Sequence, residues 1–188
     1  MNSLLQLDIT LFLLINHLPH NLILDLFFGF ITFIGIAGVI WILITLIIWW
    51  KKYKMHDSLL PIVSIVALVS GSLLEAILKD IIRRPRPQLG LNDVFVPFDY
   101  VRSFSFPSGH ALIAFAFAYI LSKFHKQGTL FYYLLAILIA FSRVYLGKHY
   151  PFDVFIGALL GILIGIITFR ISPYFRRVLN QKFPRVFI

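Results

Sequence analysis

The sequence predicts an all-α integral membrane protein, built as a helical bundle of five to six transmembrane helices. Of its 188 residues, 60% are hydrophobic and 13% are charged, whereas a soluble domain is about half apolar and a quarter charged. Apolar runs of membrane-spanning length recur along the chain, and the basic residues lie between them. The length suits one domain, so residues 1–188 are interpreted as a single membrane domain. With no cysteine in the chain, a disulfide framework and a thiolate metal site are excluded.

Residues 1–20 are predicted to form a short helix that lies in the membrane interface. Leucines recur there at helical spacing, with polar residues elsewhere on the helix. The leucines are Leu4, Leu7, Leu11, Leu14 and Leu18. The segment lacks the basic region and the small-residue cleavage site of a signal peptide. A partial sixth span is the alternative interpretation.

Five apolar segments are predicted to cross the membrane. They are Leu26–Trp50, Ser58–Ile82, Ser108–Ser122, Thr129–Ser142 and Asp153–Phe169. The last three fall below the usual length of about 20 residues. A short span is acceptable where its polar ends continue the helix, or where those ends are buried in protein around a wet cavity.

The distribution of basic residues predicts the orientation of the chain. Ten of the seventeen Lys and Arg residues lie on the side of Lys51, Lys123 and the basic tail at 171–188. The positive-inside rule places this side, with the C-terminus, in the cytoplasm. The other seven face outward: Lys79, Arg83, Arg84, Arg86, Arg102, Arg143 and Lys148. So many outward cations indicate a bound anion, and their place between spans argues against a nucleic-acid partner.

The first outward cluster is KDIIRRPRP, at the end of the second span. Lys79, Arg83 and Arg86 would share one face if the helix continued through them, although Pro85 interrupts the last turn. The alternative is a group of cations that extend from a helix end to the membrane surface.

The second cluster is PSGH, at the start of the third span. Ser108 is a suitable N-cap, and Gly109 leaves the backbone open to an anion. The first N–H groups of a helix have no internal partner and lie at its positive end, so they can hold phosphate. His110 follows at the rim of this phosphate cradle. The alternative is an ordinary cap with an interfacial histidine.

The third cluster is SRVYLGKHYPFD, between the last two spans. His149 and Asp153 are four residues apart, so the carboxylate could accept a proton from one imidazole nitrogen. The other nitrogen would then be a basic lone pair, as in a nucleophile. The alternative is a helix-cap pair with an interfacial histidine.

Together the three clusters suit phosphoryl transfer without a metal ion. One histidine would attack, the other would protonate the leaving oxygen, and cations and helix N–H groups would neutralise the phosphate oxygens. Asp153 is assigned to His149, and four other carboxylates show no metal-ligand spacing: Glu75, Asp80, Asp93 and Asp99. We therefore expect no metal and no other cofactor.

These motifs resemble the type 2 phosphatidic acid phosphatase superfamily of membrane lipid phosphatases. The family pattern matches Lys79 through Arg86-Pro87, then Pro107-Ser108-Gly109-His110, then Ser142-Arg143, His149 and Asp153, so residues 79–153 form the motif-bearing core. The resemblance implies that His149 is the nucleophile, Asp153 its orienting partner and His110 the general acid, later the base. The implied phosphate-binding residues are Lys79, Arg86, Ser108, Gly109 and Arg143. Four cations outside the motif are candidate headgroup contacts: Arg83, Arg84, Arg102 and Lys148.

The expected function is removal of a terminal phosphate from a lipid phosphate or diphosphate, through a phosphohistidine. The site would face the periplasm or cell exterior of a plasma membrane, and no obligate protein partner is inferred. A polyprenyl diphosphate such as undecaprenyl diphosphate is the leading substrate. Phosphatidylglycerol phosphate, phosphatidate and lipid A are alternatives. A non-catalytic protein that binds or transports lipid phosphates is the rival from another class, while the apolar spans argue against a soluble vanadate-dependent haloperoxidase.

Overall fold

The computed structural model describes residues 3–53, 59–98 and 103–182, and these residues are helical or connect helices. The α-helices are Ser3–Asn16 (α1), Leu22–Gly35 (α2), Val39–Tyr53 (α3), Leu59–Ile82 (α4), Pro87–Gly90 (α5), Gly109–Phe124 (α6), Thr129–Tyr145 (α7) and Pro151–Lys182 (α8). Short 3₁₀ turns at Ile36–Gly38 and Lys126–Gly128 precede α3 and α7. The prediction of an all-α bundle is confirmed.

Four helical stretches in the described ranges are long and apolar enough to cross a membrane. They are Leu22–Lys52, Leu59–Gly90, Lys126–Tyr145 and Pro151–Arg177. Helices α1 and α6 are apolar but shorter, with 14 and 16 residues. The structure thus has four helical stretches of spanning length, while the sequence predicts five or six spans. The exact number stays a prediction.

The first predicted span is interrupted in the middle of the apolar run. Ala37 and Gly38 have φ angles of 49° and 72°, in the left-handed region that an α-helix of L-residues cannot continue through. The run Leu26–Trp50 is thus divided between α2 and α3. A side chain at Gly38 would also meet Ile113 of α6, because an added Cβ would lie 3.1 Å from it.

The last helix is longer than the span predicted from the sequence. α8 continues past Phe169 and through Pro173 to Lys182, so most of the predicted basic tail is helical. The intrinsic helix propensity of arginine is similar to that of leucine. The helix can therefore continue beyond the end of the apolar run. Residues 183–188 of that tail lie outside the described part of the chain.

Helix α6 is the core of the bundle. Several of its residues are fully buried, among them Leu112, Ala116, Phe117 and Ile120, and it packs against α4, α7 and α8. Neighbouring helices thus surround α6, which is shorter than a usual span. This agrees with the expectation that a short span has its ends buried in protein.

Three glycines let α8 approach α6 at backbone distance. A Cβ added at Gly157, Gly161 or Gly165 would lie 2.6, 2.1 or 3.0 Å from the carbonyl oxygen of Ser108, Leu112 or Ala116, respectively. Both sets of residues are spaced by four, so successive turns of one helix pack on successive turns of the other. The contact continues to the start of both helices, where the Ser108 N–H donates to the Asp153 carbonyl oxygen at 3.0 Å.

Replacing Gly161 by Ala tests this close contact. Inside a helix, alanine is about 1 kcal/mol more favourable than glycine. At a position with no neighbouring helix, the substitution would therefore stabilise the protein. We expect Gly161→Ala to lower the thermal unfolding midpoint in detergent instead, because the new Cβ overlaps the Leu112 carbonyl. The control is Leu163→Ala, at a half-exposed position of the same helix, which should change the midpoint little. A higher midpoint for Gly161→Ala would contradict the tight packing.

Candidate active site

The structure brings the three sequence clusters together at one end of the bundle. The end of α4 and the following loop contribute Lys79 and Arg86, and the start of α6 contributes Ser108, Gly109 and His110. The last turn of α7 contributes Arg143, the α7–α8 connection His149, and the first turn of α8 Asp153. Because α6 and α8 start side by side, the last two clusters are in direct backbone contact.

His149 is buried and held in one tautomer. Its Nδ1 donates to the carbonyl oxygen of Ser105 at 2.7 Å, and its Nε2 faces an N–H of Arg86 at 3.2 Å. Since a guanidinium can only donate, Nε2 carries the lone pair. Burial, together with the charges of Arg86, Arg143 and Lys79, lowers the pKa of His149 well below 6.5. The imidazole is therefore neutral at pH 7, with its basic nitrogen defined.

The predicted hydrogen bond between His149 and Asp153 is not formed. Nδ1 lies 3.9 Å from Oδ2 of Asp153, which is too long for a hydrogen bond. Oδ2 instead accepts from the Ser105 hydroxyl and from the Tyr150 N–H, the latter at 3.0 Å. Ser105 thus connects the two, since its carbonyl accepts from the imidazole while its hydroxyl donates to the carboxylate. The sequence analysis missed Ser105, whose one signal was its place three residues before Ser108.

Arg84 is an internal ion-pair partner, where the sequence suggested a headgroup contact. Its two terminal nitrogens donate to Asp153 and to Asp8 of α1, each at 2.6 Å. The guanidinium also lies 4.0 Å from the ring centroid of Tyr150. Asp8 is buried and accepts from the Phe152 N–H at 2.9 Å. Helix α1, predicted as an interfacial helix or a partial sixth span, therefore contacts the first turn of α8 and the candidate active site.

Arg83 faces away from the site. α4 ends at Ile82, Arg83 has a φ of 52°, and its side chain pairs with Asp80 at 3.1 Å while 65% exposed. The predicted common face of Lys79, Arg83 and Arg86 is therefore wrong, because the helix ends before its last two members and Pro85 prevents its continuation. Of the other predicted headgroup contacts, Lys148 is buried with its ammonium donating to the Phe98 carbonyl at 2.7 Å, and Arg102 lies outside the described residues.

Arg86 joins the long loop to the α7–α8 connection. Its guanidinium donates to the carbonyl oxygens of Ser103, Phe104 and Lys148, to the Ser103 hydroxyl and to Nε2 of His149. Five N–H groups thus have protein partners, and the side chain is 2% exposed. In this structure Arg86 organises the site around His149, and its charge lies next to the imidazole.

Three polar atoms beside His149 have no hydrogen-bond partner among the described residues. They are Oγ of Ser108, Nε2 of His110 and Nε of Arg143. Ser108 occupies the N-cap position of α6, but its hydroxyl makes no capping bond, so the predicted capping role is wrong for the side chain. Buried polar groups without a partner are rare, and their concentration at a helix N-terminus indicates a site for an anionic ligand.

His110 and Ser142 are connected through α2. The His110 imidazole lies close to the backbone of Thr32 in α2, and its Nε2 has no hydrogen-bond partner among the described residues. The Ser142 hydroxyl donates to the Ile139 carbonyl and lies 2.7 Å from the Thr32 hydroxyl. Ser142, which belongs to the third sequence cluster, therefore links α7 to the part of α2 that lies beside His110.

Lys79 and Gly109 lie on either side of a carboxylate that the sequence analysis did not place in the site. The Lys79 ammonium donates to Oε1 of Glu75 at 2.6 Å, and the same carboxylate packs directly against Gly109. Within the described ranges no three His, Asp or Glu residues are grouped as they would be around a metal ion.

The sequence of this site matches a known family. The family model described as the PAP2 superfamily matches residues 58–177, which include the three clusters. The chain belongs to the PAP2 superfamily. An undecaprenyl-diphosphatase of Sulfolobus acidocaldarius is 31% identical over 169 residues, which cover 88% of this chain and 78% of that protein. Across four curated relatives with different names, the chain spans 56–79% of the relative's length.

Two solved PAP2-type structures resemble this fold. The crystal structure of Aquifex aeolicus LpxE has a TM-score of 0.74 and 34% sequence identity, covering 87% of this chain and 95% of LpxE. A transmembrane PAP2-type phosphatidylglycerolphosphate phosphatase from Bacillus subtilis has a TM-score of 0.72 and 26% identity, covering 98% of this chain and 90% of that one. The fold is therefore shared with PAP2 proteins along nearly the whole chain.

Removing Arg84 tests its role between the two buried carboxylates. Arg84→Met leaves Asp8 and Asp153 without their shared cation, and breaking a buried pair in this way costs on the order of 3 kcal/mol. We expect a lower unfolding midpoint in detergent. Arg83→Met is the matched control, because the neighbouring arginine makes an exposed ion pair. Equal midpoints for the two variants would contradict this assignment.

Proposed function

We propose that this PAP2 protein is a membrane lipid phosphatase that transfers a terminal phosphate to His149 and then to water. The observation that carries the proposal is the group of unpartnered atoms from Ser108, His110 and Arg143 next to the neutral His149. Lys79 and Arg86 add positive charge to the same place. A phosphate would satisfy the Ser108 and Arg143 donors and meet Nε2 of His110.

The proposed reaction proceeds in two steps. Nε2 of His149 attacks phosphorus, the bond to the leaving oxygen breaks, and protonated His110 donates its Nε2 proton to that oxygen. Water then attacks the phosphohistidine while neutral His110 accepts its proton, which releases inorganic phosphate and restores both histidines. Asp153 acts on His149 through Ser105, and the cations with the N–H groups of α6 stabilise the charge on the phosphate oxygens.

A cavity beside the site supports a lipid substrate. It has a volume of about 340 Å³ and an apolar lining from α2, the α7–α8 connection and Phe98. Thr32, which lies close to His110, and Lys148, adjacent to His149, are among its lining residues. Leu26, Phe30 and Phe33 line it from the outer surface of α2, where their side chains are exposed. We infer that the first part of the lipid tail lies here, with the phosphate among the cations.

Polyprenyl diphosphate is the leading substrate class. The match to an undecaprenyl-diphosphatase along 88% of the chain supports it. Phosphatidylglycerol phosphate is the second candidate, because the B. subtilis structure of that specificity covers 98% of the chain.

A panel of lipid phosphates tests the function and separates these substrates. Purified protein in detergent would be given undecaprenyl diphosphate, phosphatidylglycerol phosphate, phosphatidate and lipid A, and released phosphate would be measured. We expect the fastest release from undecaprenyl diphosphate, and an excess of chelator should leave the rate unchanged because the proposed steps use histidines and cations alone. Release from no substrate would favour the non-catalytic binding protein. Loss of activity in chelator, restored by Mg²⁺, would overturn the mechanism.

The two histidines can be distinguished with a nitrophenyl phosphate, whose leaving group needs little protonation. His149→Ala removes the attacking atom, so we expect no turnover and no phosphoenzyme. His110→Ala should lose about 10²–10⁴-fold on a lipid substrate, the usual contribution of a general acid, but far less on the nitrophenyl substrate. It should also accumulate phosphoenzyme, since water is no longer activated. Rescue of His149→Ala by the nitrophenyl substrate would reverse the two assignments.

We further propose that the site faces the periplasm or cell exterior and that the C-terminus is cytoplasmic. The supporting observation is the larger share of basic residues on the opposite side of the predicted spans. The chain has no cysteine, so single cysteines can report the topology. An impermeant thiol reagent on intact cells should label Asn92→Cys and spare Gln127→Cys, both at exposed positions. The opposite labelling would invert the orientation.

A further inference from the structure

The carboxylate of Glu75 occupies the place where the sequence predicts a phosphate. Glu75 projects from α4 onto the first turn of α6, and a Cβ added at Gly109 would lie 2.1 Å from Oε2 and 2.2 Å from Oε1. The side chain therefore packs against the backbone of Gly109, at the positive end of α6. The absence of a side chain at Gly109 accommodates this carboxylate in the present structure.

Glu75 also shares the cations of the site. Lys79 donates to Oε1 at 2.6 Å, and Arg143 has Arg86 and Glu75 as charged neighbours. The other two buried carboxylates near the site, Asp8 and Asp153, have Arg84, backbone N–H groups and Ser105 as their partners. The Glu75 side chain is 24% exposed, so it lies at the accessible edge of the site.

A carboxylate and a phosphate compete for the same donors. Both are anions with oxygen acceptors, and both are favoured beside Lys79, Arg143 and the N-terminus of α6. An entering phosphate must therefore displace Glu75 or remain beside a like charge, and either event weakens its binding. The same carboxylate can return to Lys79 once the phosphate has left.

We propose that Glu75 is a resident anion that competes with phosphate for the cations of the site, so that a phosphate without a lipid tail is held only weakly. This inference rests on the proposed function, because it requires that the site bind phosphate. A lipid substrate gains additional binding from its tail, which offsets the displacement of Glu75. Inorganic phosphate has no tail, so the reaction product is bound weakly and released readily.

The test is the inhibition constant of inorganic phosphate against nitrophenyl phosphate hydrolysis by the full-length protein in detergent. Glu75→Gln keeps the shape of the side chain and removes its charge. We expect it to lower this constant about tenfold, the effect of losing one partly screened repulsion. The KM for nitrophenyl phosphate should fall as well. Asp80→Asn is the matched control, because it removes the same charge from an exposed position of α4 and should leave the constant unchanged.

The possible results separate the inference from the function on which it rests. If Glu75→Gln weakens phosphate binding, Glu75 serves to position Lys79, and the competition is disproved; an unchanged constant disproves it too. If Glu75→Gln does not fold, Glu75→Asp is the second variant, because its carboxylate is one methylene farther from Gly109. Glu75→Asp should also lower the inhibition constant of phosphate. No decrease would disprove the competition. A wild-type protein that neither hydrolyses nitrophenyl phosphate nor binds phosphate would instead overturn the proposed function.

Discussion

The backbone contact between α6 and α8 is the constraint on which the rest of the structure depends. Glycines along one face of α8 leave no side chain between the two helices, so their backbones are in contact. The helices also begin side by side, where the Ser108 N–H donates to the Asp153 carbonyl. The unpartnered groups of α6 and the imidazole that precedes α8 are thereby neighbours. With larger residues at those positions the helices would separate, and the site would lose its geometry without any change in its own residues.

Charge balance is the second organising factor. The site concentrates cations in a largely buried region, where an unpaired charge is costly, and each has an identifiable counterpart. Arg84 lies between two carboxylates, Lys79 pairs with Glu75, and Arg86 is surrounded by carbonyl oxygens. Arg143, with an unpartnered Nε, has the least complete set of hydrogen bonds among these cations, which makes it a prime candidate for a phosphate contact.

The sequence predicted the helices and the motif residues, which depend on local patterns. It did not predict the contacts between residues that are distant in the chain, because these depend on packing. Apolar runs and the motif spacing identified the helices and the residues that converge, because helix starts at Gly109 and Pro151 follow from local signals. The contact of Asp8 with Arg84 joins residues 76 positions apart, and no local pattern indicates it. The same holds for Ser105, which is inserted between His149 and Asp153. Glu75 did leave a signal, its spacing of four from Lys79, which predicts an ion pair on a helix.

The bond from the Phe152 N–H to Asp8 has a consequence for the biogenesis of the protein. It joins residues 144 positions apart, in the first and the last helix of the bundle. During synthesis α1 emerges long before α8, so its buried carboxylate can pair with Arg84 midway but gains the Phe152 N–H only after the first 152 residues are made. An incomplete chain consequently has no assembled site, and catalytic competence appears only when the last helix has packed into the bundle.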